Sequence, residues 1–190
     1  GTASFAQEEI TQASAEFIFH GKQVSIVRDN TQGPPLAAKF AGVAPECARA
    51  CLGPVQLAEG VKTLGEREVL DFLLGQVAKN TGLMVDARMP EDRAVGFIPG
   101  SVNLPHATLE PENGYRNDIL TALGAQPLGD GFTFDEARHL LVYDIGPAAD
   151  DAGALVTLLL STGYPAERIS YYRGGVLMWA ALGLSIETGS

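Results

Sequence analysis

The feature that most constrains the fold is a regular alternation of short apolar segments with helix-like segments, which begins at Val61. Segments typical of buried strands occupy residues 82–88 ("GLMVDAR"), 139–144 ("HLLVYD") and 168–175 ("RISYYRGG"). Segments with apolar residues at helical spacing occupy residues 61–80, 114–125, 148–164 and 175–184. Strands that alternate with helices predict an α/β fold, in which a parallel sheet is covered by helices on both faces.

The first third of the chain has a different pattern. Two strand-like runs, residues 17–19 and 24–27, flank a turn at His20, Gly21 and Lys22, which predicts a β-hairpin. Residues 29–35 ("DNTQGPP") have the composition of a loop. We therefore expect an N-terminal extension over residues 1–60, with the hairpin and a cysteine-containing loop, and an α/β domain over residues 61–190.

Charge and hydropathy exclude several classes of protein. The formal net charge is −10, and no basic cluster is present to contact phosphates, so nucleic-acid binding is not expected. No apolar run has the roughly 18–20 residues that a membrane-spanning helix requires. The sequence indicates neither a cofactor nor a metal-ligand pattern, and it leaves open a protein partner or a small ligand.

Polar residues cluster where the predicted strands end. In open parallel sheets, ligands bind beyond the carboxyl ends of the strands. At that edge we expect Asp86 and Arg88, then residues 144–151, and then Arg173 with the two glycines that follow it. These residues are the candidates for a functional site.

Three ordered stretches resemble the rhodanese family. The first is "VDARMPEDRAVGFIPGSVNLP" (residues 85–105), the second "LLVYDIGPAADDAG" (residues 140–153) and the third "YYRGGVLMWAALGL" (residues 171–184). Their order and spacing are similar to one rhodanese domain over residues 61–186. The resemblance implies a five-stranded parallel sheet flanked by helices.

The resemblance also implies where the chemistry would lie. Active rhodaneses carry sulfur as a persulfide on a cysteine that follows the central strand, within a loop of converging N–H groups. That position is Asp144 here, a second cysteine position of some relatives is Ala149, and Phe97 replaces a histidine of the pattern. The loop consists of Asp144, Ile145, Gly146, Pro147, Ala148, Ala149 and Asp150. Asp86, Arg88 and Arg173 are expected to support it.

Asp144 is open to two interpretations. Its carboxylate takes the place of a bound anion and accepts the N–H groups of the loop, which would lower its pKa. Alternatively, Asp144 binds a cation or metal together with Asp150 and Asp151. The default role of Asp150 and Asp151 is to cap the helix that follows.

The two cysteines, Cys47 and Cys51, lie in the extension and outside the resemblance. They are compatible with a structural disulfide, with free thiols, or with a reactive redox or sulfur-carrying pair. A disulfide, together with small residues at positions 3–6 that resemble a cleavage remnant, favours a periplasmic or otherwise exported protein. A cytoplasmic protein is the alternative.

These observations lead to one preferred function and two alternatives. The preferred function is a catalytically inactive rhodanese-like module with a binding, regulatory or sensory role linked to sulfur or redox metabolism. The first alternative is a sulfurtransferase or thiol redox protein that acts through Cys47 or Cys51. The second is cation or metal binding at Asp144, Asp150 and Asp151.

Overall fold

A five-stranded parallel sheet forms the centre of the molecule. The computed structural model describes residues 15–41 and 52–189. The strands of this sheet, in spatial order, are β3 (Lys62–Leu64), β9 (Ile169–Tyr172), β8 (His139–Tyr143), β4 (Gly82–Asp86) and β5 (Ser101–Asn103). All four strand pairings are parallel. The predicted α/β fold with a five-stranded parallel sheet is confirmed.

Helices cover both faces of this sheet. They are α1 (Gly33–Phe40), α2 (Glu66–Phe72), α3 (Pro90–Val95), α4 (Arg116–Ala122), α5 (Asp151–Ser161) and α6 (Gly175–Ala181). A π-helical segment, Leu73–Val77, continues α2. The side chains of the central strands lie in two apolar clusters, one on each face of the sheet. One cluster contains Met84, Leu141 and Tyr143, and the other contains Val85 and Val142. This alternation is that of a sheet buried on both faces.

The predicted N-terminal hairpin is present and packs on the domain. Strands β1 (Ala15–Phe19) and β2 (Lys22–Ile26) pair antiparallel, and His20 and Gly21 form the turn between them with positive φ angles. Phe17 and Ile26 are buried in the same apolar cluster as Trp179 of α6. The hairpin therefore adds to the core on one face of the sheet.

Two local predictions are wrong. Residues 29–35 were expected to form a loop, but α1 begins at Gly33, because Pro34 and Pro35 occupy its first turn, where a missing N–H costs nothing. Residues 61–80 were expected to form one helix, but the edge strand β3 precedes α2. Leu64, which we assigned to the helical stripe, lies in that strand and pairs with Tyr172.

A second small hairpin extends from the domain, with β6 (Gln126–Leu128) paired antiparallel to β7 (Gly131–Thr133). Phe132, in the middle of β7, packs on the cluster that contains Val85 and Val142. In the described part of the chain, no helix has the length and apolar character needed to cross a membrane.

Candidate functional site

Asp144 lies at the centre of the loop that follows β8. Its side chain is fully buried, with 0% of its surface exposed. The N–H of Gly146 donates to Oδ1 at 3.0 Å, and the N–H of Ala152 donates to Oδ2 at 3.0 Å. Both carboxylate oxygens therefore point into the loop and toward the first turn of α5.

Burial decides the ionisation of Asp144. Removal from water raises its pKa to about 7, against the two N–H donors of Ala152 and Gly146, which lower it. The nearby carboxylates of Asp151 and Asp86 raise it further. The expectation that the loop lowers this pKa is wrong, because two neutral donors do not replace the lost hydration of a buried charge.

The first turn of α5 is capped by a side chain that does not occupy the N-cap position. Asp150 occupies the N-cap position, but its side chain makes no capping hydrogen bond. The second helical residue, Ala152, donates its N–H to Asp144 instead. Asp151 lies in the first turn, and burial raises its pKa, which the charge of His106 partly offsets. The expected capping role of Asp150 thus falls to Asp144.

The glycine turn before α6 closes the loop from the other side. Gly175 has φ +61°, and a Cβ at this position would meet the carbonyl oxygen of Asp144 and the nitrogen of Gly146, each at 2.5 Å. The N–H of Val176 donates to the carbonyl oxygen of Asp144 at 3.0 Å. The close backbone approach that we predicted for this glycine turn is present, and it fixes the backbone on which Asp144 stands.

A second buried carboxylate, Asp86, ends the neighbouring strand β4. The Nε and Nη2 of Arg88 donate to its two oxygens at 2.9 and 2.7 Å, and the Nη1 of Arg93 donates to Oδ2 at 3.2 Å. Arg88 also donates to the carbonyl oxygen of Gly96 at 2.8 Å. Burial opposes the charge of Arg88, but the Asp86 carboxylate outweighs it and raises the pKa of the guanidinium. Asp86 and Arg88 join the end of β4 to the loop before β5.

Tyr143, Arg93 and Ser101 complete this network and were not predicted. The hydroxyl of Tyr143 donates to Asp86 Oδ2 at 3.1 Å, and it lies 2.9 Å from Ser101 Oγ. Burial raises the pKa of Tyr143, so the phenol stays protonated. A buried tyrosine hydroxyl needs a hydrogen-bond partner. The position of Tyr143 at the end of a buried strand could therefore have indicated a polar network around it.

Arg173 connects the loop to the N-terminal extension. Its Nη2 and Nε donate to the carbonyl oxygen of Gly53 at 3.0 and 3.3 Å. The N–H of Gly53 donates in turn to the carbonyl oxygen of Pro147, in the loop itself, at 2.7 Å. Arg173 therefore supports the loop through a segment of the extension, a contact that sequence spacing does not reveal.

The three acidic residues of the loop do not turn their side chains toward one common point. Asp144 directs both oxygens at backbone N–H groups, and Asp150 is exposed. Within residues 15–41 and 52–189, no group of three or more His, Cys, Asp or Glu side chains is arranged to hold a metal ion. Cys47 and Cys51 lie outside the described residues.

Comparison with known proteins identifies a family. The model of the rhodanese-like domain matches residues 70–182, which is more than half of the chain. No curated protein matches at a significant level. The matched residues include both buried carboxylates and the glycine turn that closes the loop.

Several solved structures are similar. A rhodanese-related protein from Thermoplasma volcanium is 17% identical, with 67% of this chain and 99% of that chain covered and a TM-score of 0.45. A rhodanese-like domain from Anabaena is 22% identical, with coverage of 70% and 81% and a TM-score of 0.44. A thiosulfate sulfurtransferase from Pseudomonas aeruginosa is 19% identical over 84% of this chain and 24% of that chain, with a TM-score of 0.47.

Proposed function

Since the chain belongs to the family of rhodanese-like domains, we propose that it is a member that does not transfer sulfur at the loop after β8. In this proposal the protein serves as a binding or regulatory module linked to sulfur or redox metabolism. One observation carries the first part. Asp144 is fully buried at the end of the strand, and both of its carboxylate oxygens accept backbone N–H groups. The proposal is that this carboxylate stands where active relatives hold a sulfur anion.

The chemistry of a carboxylate explains the loss of activity. Sulfur transfer from thiosulfate requires a thiolate that attacks the outer sulfur, so that the S–S bond breaks and sulfite leaves with the bond electrons. Asp144 offers no sulfur nucleophile. When it is ionised, its charge and those of Asp150 and Asp151 repel an incoming anion. The loop would therefore keep the architecture of the family without its reaction.

A thiosulfate-to-cyanide transfer assay tests this proposal. We expect wild-type protein to form thiocyanate no faster than a control without protein. The Asp71→Asn variant, which changes an exposed carboxylate far from the loop, should behave in the same way. Turnover that depends on wild-type protein would overturn the proposed lack of sulfur transfer, unless it disappears in a variant without cysteines.

One specific contact favours a second candidate function, sulfur transfer or thiol redox chemistry through the extension. Gly53 is hydrogen bonded to Pro147 of the loop and to Arg173. Gly53 follows Cys51 by two positions in the sequence. The segment that contacts the loop after β8 therefore adjoins the cysteine pair along the chain.

The two candidates differ in what a double Cys47→Ser/Cys51→Ser variant does. If the thiols are catalytic, wild-type protein gains one sulfur atom on Cys47 or Cys51 after thiosulfate treatment, and the double variant loses all turnover. If the preferred function is correct, neither protein turns over. Peptide mapping by mass spectrometry locates the added sulfur, and non-reducing digestion reports whether the cysteines form a disulfide instead.

A further inference from the structure

A cavity of about 540 Å³ lies away from the loop after β8, between the N-terminal hairpin and the domain. Its volume is within the range of small-molecule sites, about 300–1,000 Å³. Its lining comes from three parts of the chain: the end of β1 and β2, the segment from Arg93 to Ser101, and residues 185–187. The first and third parts lie outside residues 70–182, so the family match does not account for this cavity.

The cavity lining combines apolar and polar residues. Phe19, Val24, Phe97, Pro99 and Ile186 are its apolar members, and Ser25, Ser101 and Ser185 are among its polar members. The hydroxyl groups of Ser101 and Ser185 already make hydrogen bonds within the protein. A largely apolar lining beside charged side chains suits a ligand with a flat apolar body and a polar end.

The charge of the lining is opposite to that of the protein. Lys22 and Arg93 are cationic, His20 is a titratable neighbour at the hairpin turn, and Glu187 is the acidic residue of the lining. The chain as a whole has 23 acidic and 13 basic residues. On this acidic protein, the two cationic side chains create a local positive potential that attracts an anion.

Arg93 is held in position to bind such an anion. Its Nη1 and Nη2 donate to Ser101 at 2.9 and 2.7 Å, and its guanidinium carbon lies 3.6 Å from the centre of the Phe97 ring. Its Nε–H makes no hydrogen bond to the described residues. Since no buried side-chain nitrogen in that part of the chain lacks a partner, this N–H is accessible to solvent.

The buried group of Arg88, Asp86 and Arg93 carries a net positive charge. Asp86 is shared between Arg88 and Arg93, so one carboxylate faces two guanidinium groups. A cation that is already ordered by stacking and hydrogen bonds loses little side-chain entropy when it binds a carboxylate. Lys22, which is exposed at the opening, offers a second and more flexible contact.

We propose that this cavity binds a small aromatic monocarboxylate, with its carboxylate between Arg93 and Lys22 and its ring against Phe19, Val24 and Phe97. The site is independent of the loop that contains Asp144. Its test therefore gives a result whether or not the protein transfers sulfur.

The test uses 2-naphthoate as the probe and 2-naphthamide as its neutral isostere, each titrated into the full chain by calorimetry. We expect saturable binding of the acid, and at least about tenfold weaker binding of the amide, because a charge-assisted hydrogen bond to arginine is lost. Backbone amide signals of residues 22–25 and of Phe97, Ile98, Gly100 and Ser101 should shift with the acid. Equal affinity for the two probes, or no binding of the acid, overturns the proposal.

Two variants locate the site without disturbing the buried network of Arg93. Lys22→Gln should weaken 2-naphthoate binding by about fivefold, and Ser25→Trp should abolish it by filling the opening. Lys62→Gln is the matched control, since it removes the same charge from an exposed position on β3, at the opposite edge of the sheet. Equal effects of Lys22→Gln and Lys62→Gln, or unchanged binding in Ser25→Trp, would refute the assignment.

Discussion

Two buried carboxylates stand at the ends of neighbouring parallel strands, and they are neutralised in different ways. Asp86, at the end of β4, faces the guanidinium groups of Arg88 and Arg93. Asp144, directly after β8, receives only the N–H groups of Gly146 and Ala152 among the contacts of the described residues. Both side chains have 0% of their surface exposed.

The partners of each buried carboxylate determine its role. A buried carboxylate that meets opposite charges with good geometry can hold the loops around it in place. A buried carboxylate that meets only backbone dipoles keeps a large desolvation cost, so its pKa rises, here to about 7. Asp86 therefore joins the loops around it through ion pairs, whereas Asp144 can lose its charge near neutral pH.

The largest loss of stability is expected for Asp86→Asn. This change leaves the buried guanidinium of Arg88 without its counter-charge, and we expect the free energy of unfolding to fall by about 3–5 kcal/mol. Urea denaturation at neutral pH measures the change. Asp71→Asn makes the same chemical change at an exposed site and should cost less than about 0.5 kcal/mol. A similar small cost for both variants would contradict the structural role of Asp86.

The next largest effect concerns the backbone beneath Asp144. Gly175→Ala brings a methyl group against the backbone of Asp144 and Gly146, and we expect a loss of about 2–4 kcal/mol in stability. Gly129→Ala is the matched control. Gly129 has a similar φ of +59°, but nothing lies within 4 Å of the added Cβ, so only the backbone strain of about 1 kcal/mol applies. Equal thermal shifts in the two variants would mean that the close approach does not matter.

The raised pKa of Asp144 makes stability depend on pH. In the folded protein the pKa is about 7, above the value of about 3.9 for an unfolded aspartate. The protonated form therefore stabilises the fold fully below that unfolded value, and its contribution is lost as pH rises through the folded pKa. Between these values the free energy of unfolding should fall by up to about 1.4 kcal/mol per pH unit.

The Asp144→Asn variant isolates this contribution. Its side chain does not titrate, so the difference in stability between wild type and variant should change across the same pH window. Urea denaturation at a series of pH values measures that difference. A difference that stays constant from mildly acidic to neutral pH would show that Asp144 keeps an ordinary pKa, and would contradict the cost of burial assigned to it.

The smallest expected effect concerns the hydrogen bonds between Arg173 and the N-terminal extension. Arg173→Ala removes the hydrogen bonds to Gly53, and we expect a loss of about 0.5–1.5 kcal/mol with faster amide exchange at Gly53. Arg67→Ala, at an exposed position on α2, is the control. Unchanged exchange at Gly53 in the Arg173 variant would mean that the extension does not depend on this arginine.

The sequence allowed the sheet to be predicted because its central strands are apolar runs with polar ends. β4 and β8 stand out for that reason, and their carboxyl ends located Asp86 and Asp144. β3 was not predicted because three residues are too few to show a periodic pattern, and Leu64 fits a helical stripe equally well. α1 was not predicted because the prolines of its first turn are also typical of loops.

The sequence placed the candidate residues at the ends of β4 and β8, but it did not predict the energetics of Asp144. The family resemblance implied N–H donors around Asp144, whereas its pKa depends on burial, which the three-dimensional packing of the chain determines. The contacts of Gly53 with Pro147 and Arg173 join residues that are far apart in sequence, so no local pattern indicates them. The same holds for the cavity between the hairpin and Arg93.

The central claim is that Asp144 occupies a loop built for a sulfur anion. The most direct test treats Asp144→Cys protein with thiosulfate, in a Cys47→Ser/Cys51→Ser background, and maps any added sulfur by mass spectrometry. Asp150→Cys, at an exposed position six residues after Asp144 in the same loop, is the matched control in that background. Circular dichroism verifies that each variant is folded.

We expect the folded Asp144→Cys protein to gain one sulfur atom at residue 144, because the thiolate would accept the N–H groups of Gly146 and Ala152. The Asp150→Cys protein should remain unmodified under the same conditions. No added sulfur at residue 144 in folded protein, or equal modification at residue 150, would contradict the claim that this loop is a sulfur site occupied by a carboxylate.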